Sequence, residues 1–553
     1  MTHSRIIMLQ TLMFACLLIR PCFGQGQENP GPVKNLMIMI PSGTSTSLLS
    51  LARWYRGYNS NEPVWLNVDG LITGLVKTCN SDAPIGDSAP TGSAYATGVA
   101  SQAGYVATYP EKTPNDVVPV DSSFANTPVM TILEAAKLKG MSTGLAVTGR
   151  FSDATPASFS AHSYTGTRSD WIVPQMVFNH IDVVFGSGSY FLVPGYRQYL
   201  SQSGWKVIVD TYQQFQSFSG NKVWGLFGEN TMAYDIDRDS ASMPSLAEMT
   251  RKAIEILSKN EKGFFLMVEG GRIDEAAQLN DAAGMVTEFI AFDRAVKEAL
   301  DFAKRDGNTA VVICPSFGSG AISMGNEAST ATYTNLTTQQ LLGPLAACKN
   351  TAEGFAAKLI KADFDETNVR KLFAENMGID NLTAPDMLEI QAAVNRKNAG
   401  SLQNMITRIM KAQTFIGFTT GGHTGEDVFL ACYHPKGDVL KGMVANTDVN
   451  RYMCRLLGIN NLPDSTGKYF AGHKTVFPTS QYTLTRNKNE TVPSITIRSR
   501  KSKKSLVVNA FENKAVLSSP GRRKQQVRLA TVIVYVDKNE EFYLPRDLKK
   551  LLD

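Results

Sequence analysis

Short apolar runs alternate with amphipathic segments along most of the chain. Asn35–Ile40 (NLMIMI) is apolar throughout its interior, ends at Pro41-Ser42-Gly43, and is followed by TSLLSLARWYRGY, whose apolar positions recur at helical spacing. Pro128–Gly140 reads as a helix with a glycine stop, and Ser142–Thr148 (STGLAVT) as a strand. The same alternation returns in Ser245–Asn260 and Gly263–Glu269 (GFFLMVE), then in Asp281–Gly307 and Thr309–Cys314 (TAVVIC). Strands with no polar face must be covered on both sides. The pattern therefore predicts an α/β fold with a doubly wound, mostly parallel sheet. In such a sheet ligands gather at the carboxyl ends of the strands.

Two stretches break the rhythm. Between Phe317 and His423 the chain is polar and mostly helical, which predicts a helical insertion over about 325–412 that returns to the sheet at QTFIGFTTGG. From residue 481 to 553 the runs PSITIRS, SLVVNAF and ATVIVYVDK predict a small β module. This module carries 16 Lys and Arg against 7 Asp and Glu, whereas the rest of the chain carries 39 against 43. The basic excess is either a solvated add-on or a contact for an anionic surface.

Composition narrows the class. The chain has 553 residues, 43% hydrophobic and 19% charged, with a net charge of +5, as in an ordinary globular protein with no case for nucleic acid. Residues 1–24 combine Arg5, an apolar run over 6–19, and the small residues Cys22 and Gly24. This reads as a signal peptide and an exported, periplasmic or extracellular protein with no transmembrane segment. Five cysteines outside that segment (Cys79, Cys314, Cys348, Cys432 and Cys454) have no CxxC spacing. They make neither a disulfide framework nor a zinc-thiolate site, although an oxidising compartment permits one bridge.

Polar groups collect just beyond the strand ends: Ser42, Asp87-Ser88, Asp153, Thr155, Glu269, Arg272, Asp274, Gln278, Ser316 and His423. Several have bland readings. Ser88 is a candidate helix N-cap as much as a nucleophile. Asp153 and Glu269 are candidate buried acids paired with Arg150 or Arg272. His423, between Gly422 and Thr424, is a candidate loop histidine. His162, His180, His434 and His473 are isolated.

Four segments, in order, resemble the alkaline phosphatase family: GDSAPTGSAYATG (Gly86–Gly98), SDATPASFSAH (Ser152–His162), VEGGRID (Val268–Asp274) and GGHTGED (Gly421–Asp427). The resemblance covers about 34–469, which places an alkaline-phosphatase-like domain at 34–475, and the C-terminal module is similar to an extension on some bacterial members. It implies metal-dependent phosphomonoester hydrolysis by two zinc ions and a magnesium ion, through a phosphoserine at Ser88, and it implies a homodimer. A serine hydroxyl needs such a metal, because it is almost never ionised at working pH. Matched residue by residue, Asp153, Thr155 and Glu269 fall on the magnesium site. Asp274 and His423 fall on one zinc, and Arg168 on the arginine that clamps the phosphoryl group.

The remaining matches depart from the family. Its metal-bridging Asp falls on Ser42, a zinc-binding His on Gln278, and an Asp-His pair on Ser316 and Phe317. Amide and hydroxyl oxygens are weak zinc ligands and phenylalanine is none. A magnesium-type site and a residual zinc-type site are therefore expected, with hydrolysis very weak or lost. The alternative is an active phosphomonoesterase with a remodelled metal site.

Overall fold

The structure is a computed structural model describing residues 31–58, 64–362, 364–485 and 493–553. The expected signal segment, 1–24, lies outside the described residues. Ten strands form the central sheet: β1 (Asn35–Ile40), β2 (Ile72–Lys77), β3 (Ser142–Arg150), β4 (Val183–Ser187), β5 (Lys206–Val209), β6 (Val223–Leu226), β7 (Phe264–Glu269), β8 (Thr309–Ile313), β9 (Val428–Tyr433) and β10 (Gly442–Ala445). Their spatial order is β10-β2-β9-β8-β1-β7-β3-β4-β6-β5. All run parallel except β9, which lies antiparallel between β2 and β8.

The apolar strands are explained by two cores, one on each face. In β1, Met37 and Met39 enter one cluster, while Leu36, Ile38 and Ile40 enter the other. In β7, Phe264, Leu266 and Val268 separate from Phe265 and Met267 in the same way. Five helices frame the site: α1 (Thr46–Gly57), α2 (Ser88–Thr97), α3 (Ala154–Ser160), α4 (Arg272–Gln278) and α5 (Ala282–Asp306). Helix α5 begins where Asp281 accepts a hydrogen bond from Gly284 N at 3.0 Å and stops at Gly307, whose φ of 66° fits a glycine. Its Met285, Phe289, Phe292 and Val296 are buried in the first cluster.

The helical insertion contains Thr338–Ala346, Ala352–Ala362, Glu366–Met377, Ala384–Asn395 and Ala399–Gln413. Its return differs from the expectation. Ile416–Gly417 pairs with Ser323–Met324 in a separate two-stranded ladder, and the chain rejoins the central sheet only at β9. Before that, His423–Thr424 pairs antiparallel with Gly318–Ser319. The apolar look of QTFIGF comes from closing the insertion.

At the C-terminal end, Tyr482–Thr485, Ser494–Arg498, Ser505–Asn509, Lys514–Ser518 and Gln525–Arg528 form an antiparallel meander. Alternate residues Ile495, Ile497, Leu506 and Val508 are buried in a third cluster with Trp171. The five described cysteines are all free and buried, so the permitted bridge is not formed. They serve as small apolar side chains.

Candidate functional site

Strands β8, β1, β7 and β3 are neighbours, and their carboxyl ends open onto a cleft of about 620 Å³. Ser42, Ser88, Asp153, Thr155, Glu269 and Asp274 line it. Ser42 follows β1, Glu269 is the last residue of β7, and Asp153 and Thr155 follow β3 into α3. Close packing of α2 against α3 brings Ser88 to the same wall.

Ser88 is the first residue of α2. The cap is Asp87, whose side chain accepts from Ser88 N at 2.8 Å. The serine hydroxyl is thus not spent on capping; it is half-buried at the amino end of a helix whose dipole favours negative charge.

The acids are occupied. Ser42 Oγ donates to Glu269 Oε1 at 2.7 Å, and Ser316 Oγ donates to Ser42 Oγ at 3.2 Å. Burial pushes the Glu269 carboxyl up to about 7, against hydrogen bonds from Ser42 and Thr155; the charges of Asp153 and Asp274 add to the rise. Asp153 Oδ1 accepts from Arg150 Nε at 2.7 Å, and Asp153 Oδ2 from Arg150 N at 2.8 Å. Burial raises the Asp153 carboxyl, with Arg150 opposing. Asp153 therefore has the arginine partner foreseen for it. Glu269 does not: Arg272 instead bridges Glu275 and Glu353 (the latter at 2.7 Å) under the ring of Tyr234.

Asp274 and His423 lie together beside Gln278 and Phe317. Gln278 Nε2 donates to Asp274 Oδ2 at 2.8 Å, while Asp274 Oδ1 is buried with no hydrogen-bond partner. His423 Nδ1 is 3.1 Å from the Gly86 carbonyl, and Nε2 is 3.7 Å from Asp274 Oδ2. Burial lowers the His423 pKa, but Asp274 and Asp87 outweigh it and leave the imidazole raised. Phe317, fully buried, stacks on that imidazole with centroids 3.9 Å apart. His423 is thus no free loop histidine. Among the described residues, no three His, Cys, Asp or Glu side chains come together in an arrangement that could hold a metal ion.

Arg168 is placed differently from the expectation. Its guanidinium is held by Asp170 at 2.7 and 2.8 Å and lies over the Trp171 ring, outside the cleft wall. The arginine in the cleft is Arg150. Its signal in the sequence was its position at the carboxyl end of a strand.

The arrangement places a serine hydroxyl at a helix amino end beside one guanidinium, which Asp153 holds, in a cleft also lined by Asp87, Glu269, Asp274 and Glu275. It has no base in contact with that hydroxyl among the hydrogen bonds of the described residues.

The family model described as alkaline phosphatase matches residues 33–459. Alkaline phosphatase 4 of Bacillus subtilis strain 168 is 31% identical over 444 residues, covering 78% of this chain and 90% of the relative. The repressible alkaline phosphatase of Saccharomyces cerevisiae is 28% identical, covering 77% of this chain and 82% of the relative. Among solved structures, the cold-active alkaline phosphatase of the psychrophile Shewanella sp. superposes with a TM-score of 0.67 at 28% identity, over 76% of this chain and 99% of that one.

Proposed function

The chain belongs to the alkaline phosphatase family, and within it we propose an exported homologue that keeps the family fold and cleft but has lost two-zinc phosphomonoester hydrolysis. The observation that carries this reading is the stack of Phe317 on His423, joined to the Gln278–Asp274 hydrogen bond. A catalytic zinc needs three protein ligands and an open position. Here two donors remain. One carboxylate oxygen is held by an amide, and a buried phenyl ring covers the imidazole. The orphaned Asp274 Oδ1 is a single ligand atom, too few for the ion. The residues present do not fit zinc.

The magnesium-type set of Asp153, Thr155 and Glu269 fits its ion little better. Arg150 already supplies a positive charge to Asp153, and Glu269 is held by two hydroxyls. Without metals, the one cation lining the cleft is Arg150, already paired with Asp153, and Asp87, Glu269, Asp274 and Glu275 line the same wall, so a phosphate ester would meet carboxylates that no ion offsets. Losing the ions that would activate Ser88 removes many orders of magnitude of rate, each ~1.4 kcal/mol being tenfold.

Export rests on the sequence of residues 1–24, and a homodimer rests on kinship. Among the described residues, no helix is long and apolar enough to cross a membrane. The experiment is zinc content by mass spectrometry together with hydrolysis of an aryl phosphate. Stoichiometric zinc with Ser88-dependent turnover establishes instead an active phosphomonoesterase with a remodelled site.

A further inference from the structure

A second pocket lies at the opposite edge of the sheet. Its wall includes Ser142, Asp182, Trp205 and Lys222, which begin or immediately precede β3, β4, β5 and β6, so it sits at strand amino ends, whereas the family cleft sits at carboxyl ends. Its volume is about 490 Å³, within the ~300–1,000 Å³ range of small-molecule sites.

Four cations face it: Lys137, Lys222, Lys259 and Arg528. The single carboxylate is Asp182. None of the four cations forms an ion pair with a described carboxylate. Their hydrogen bonds go to uncharged groups instead. Lys137 Nζ donates to the Asn179 carbonyl at 2.6 Å, Lys259 Nζ to the Ser219 carbonyl at 2.7 Å, and Arg528 lies 3.0 Å from His180 Nε2. Lys222 Nζ sits 4.4 Å from the Trp205 ring centre. Asp182 accepts from Thr143 N at 3.0 Å, so its charge is shared with the backbone. Asp182 offsets part of the charge of Lys137 and Lys222, and Glu134 part of that of Lys137, but four cations against one carboxylate in the wall leave the pocket net positive.

The floor is rigid. Trp205, nearly fully buried, donates its indole N–H to the Ile181 carbonyl at 2.8 Å, and His180 stacks on it at 5.1 Å. The gathered charge registers on its neighbours: burial, then Arg528, Lys137 and Lys222, push the His180 imidazole down to about 3. Like charges held at close quarters repel, and an anion between them reverses the sign of the interaction.

We propose that this pocket binds a small polyanion carrying two or more phosphoryl or sulfuryl groups, held by Lys137, Lys222, Lys259 and Arg528. Orthophosphate engages few of these donors at once, whereas a diphosphate or bisphosphate reaches across them. Because Arg528 comes from the C-terminal meander, the bound anion ties that meander to the central sheet. The site is independent of the family cleft and of whether that cleft is active.

Isothermal titration of the full chain at low ionic strength tests this, with inorganic pyrophosphate as the free-anion probe and fructose 1,6-bisphosphate as the ester probe. Saturable binding of one of them is expected, and the tighter of the two identifies the source as free anion or ester. Lys222 and Arg528 are exposed, so the Lys222→Gln/Arg528→Gln double variant leaves the core untouched. It is expected to weaken binding at least ~10-fold, and Lys259→Gln alone ~3-fold, whereas Arg150→Gln in the family cleft leaves it unchanged. Added salt weakens it in the parent. Failure of both probes to bind overturns the proposal. So does binding that survives both the double variant and Lys259→Gln.

Discussion

The ring of Phe317 lies on the imidazole of His423, with 3.9 Å between centroids and 24° between planes. The two residues are joined by backbone geometry as well as by the stack. Gly318–Ser319 pairs with His423–Thr424, so the residue before that ladder is delivered to the histidine. The imidazole is thereby held between an aromatic face, the Gly86 carbonyl and Asp274.

Phe317 is expected to be a stability element. Replacing this fully buried ring by alanine removes the stack and leaves a cavity. Phe317→Ala should lower unfolding free energy by ~3–5 kcal/mol, measured by urea denaturation. The same variant should gain no tight zinc, because only Asp274 and His423 remain as donors on that side.

Zinc binding should return only when the donor set is rebuilt. The combination Ser42→Asp, Gln278→His, Ser316→Asp and Phe317→His supplies the missing carboxylates and imidazoles. It should acquire tightly bound zinc in metal analysis, while the parent chain does not. No change in metal affinity would count against the residue correspondence.

Glu288 gives a pH-dependent prediction away from the cleft. Burial pushes its carboxyl up to about 8, against a hydrogen bond from Asp235 N; the neighbouring Asp235 charge adds to the rise. Between the ordinary carboxylate range and pH 8 the folded chain keeps a proton that the unfolded chain releases. Stability therefore falls as pH rises across that window. Glu288→Gln keeps an acceptor for Asp235 N and removes the titration. Its stability relative to the parent should rise from pH 5 to pH 8, by ~2–4 kcal/mol, followed by denaturation at each pH.

Gly43 is constrained in two ways at once. Its φ is +73°, and a Cβ there would stand 2.7 Å from the Asp274 backbone. Gly43→Ala should cost at least ~2 kcal/mol and displace α4, which carries Asp274 and Gln278. The shift would show as an altered His423 imidazole signal by NMR.

What the sequence revealed and what it hid follow from how local each feature is. Strands β1, β3, β7 and β8 were legible because burial on both faces leaves them apolar throughout. Ser42, Glu269 and Asp153 were legible as neighbours because strand ends in a parallel sheet converge, whereas Ser88 reaches them through the packing of α2 on α3. QTFIGF misled because a short apolar segment looks the same in a small ladder as in a large sheet. Arg168 follows a loop, and loops do not keep register: its guanidinium turns to Asp170 and Trp171, while Arg150, fixed by its strand, lines the cleft. The bond from Gln278 to Asp274 and the stack on His423 had no sequence signal beyond the absence of ligands, since each depends on a side-chain direction.

Loss of two-zinc catalysis is tested most directly by assaying the chain, supplied with zinc and magnesium, for aryl phosphate hydrolysis at alkaline pH beside its Ser88→Ala variant. No zinc is expected to be retained in stoichiometric amount, and no turnover should distinguish the two proteins. Two tightly held zinc ions and rapid hydrolysis abolished by Ser88→Ala would contradict that loss.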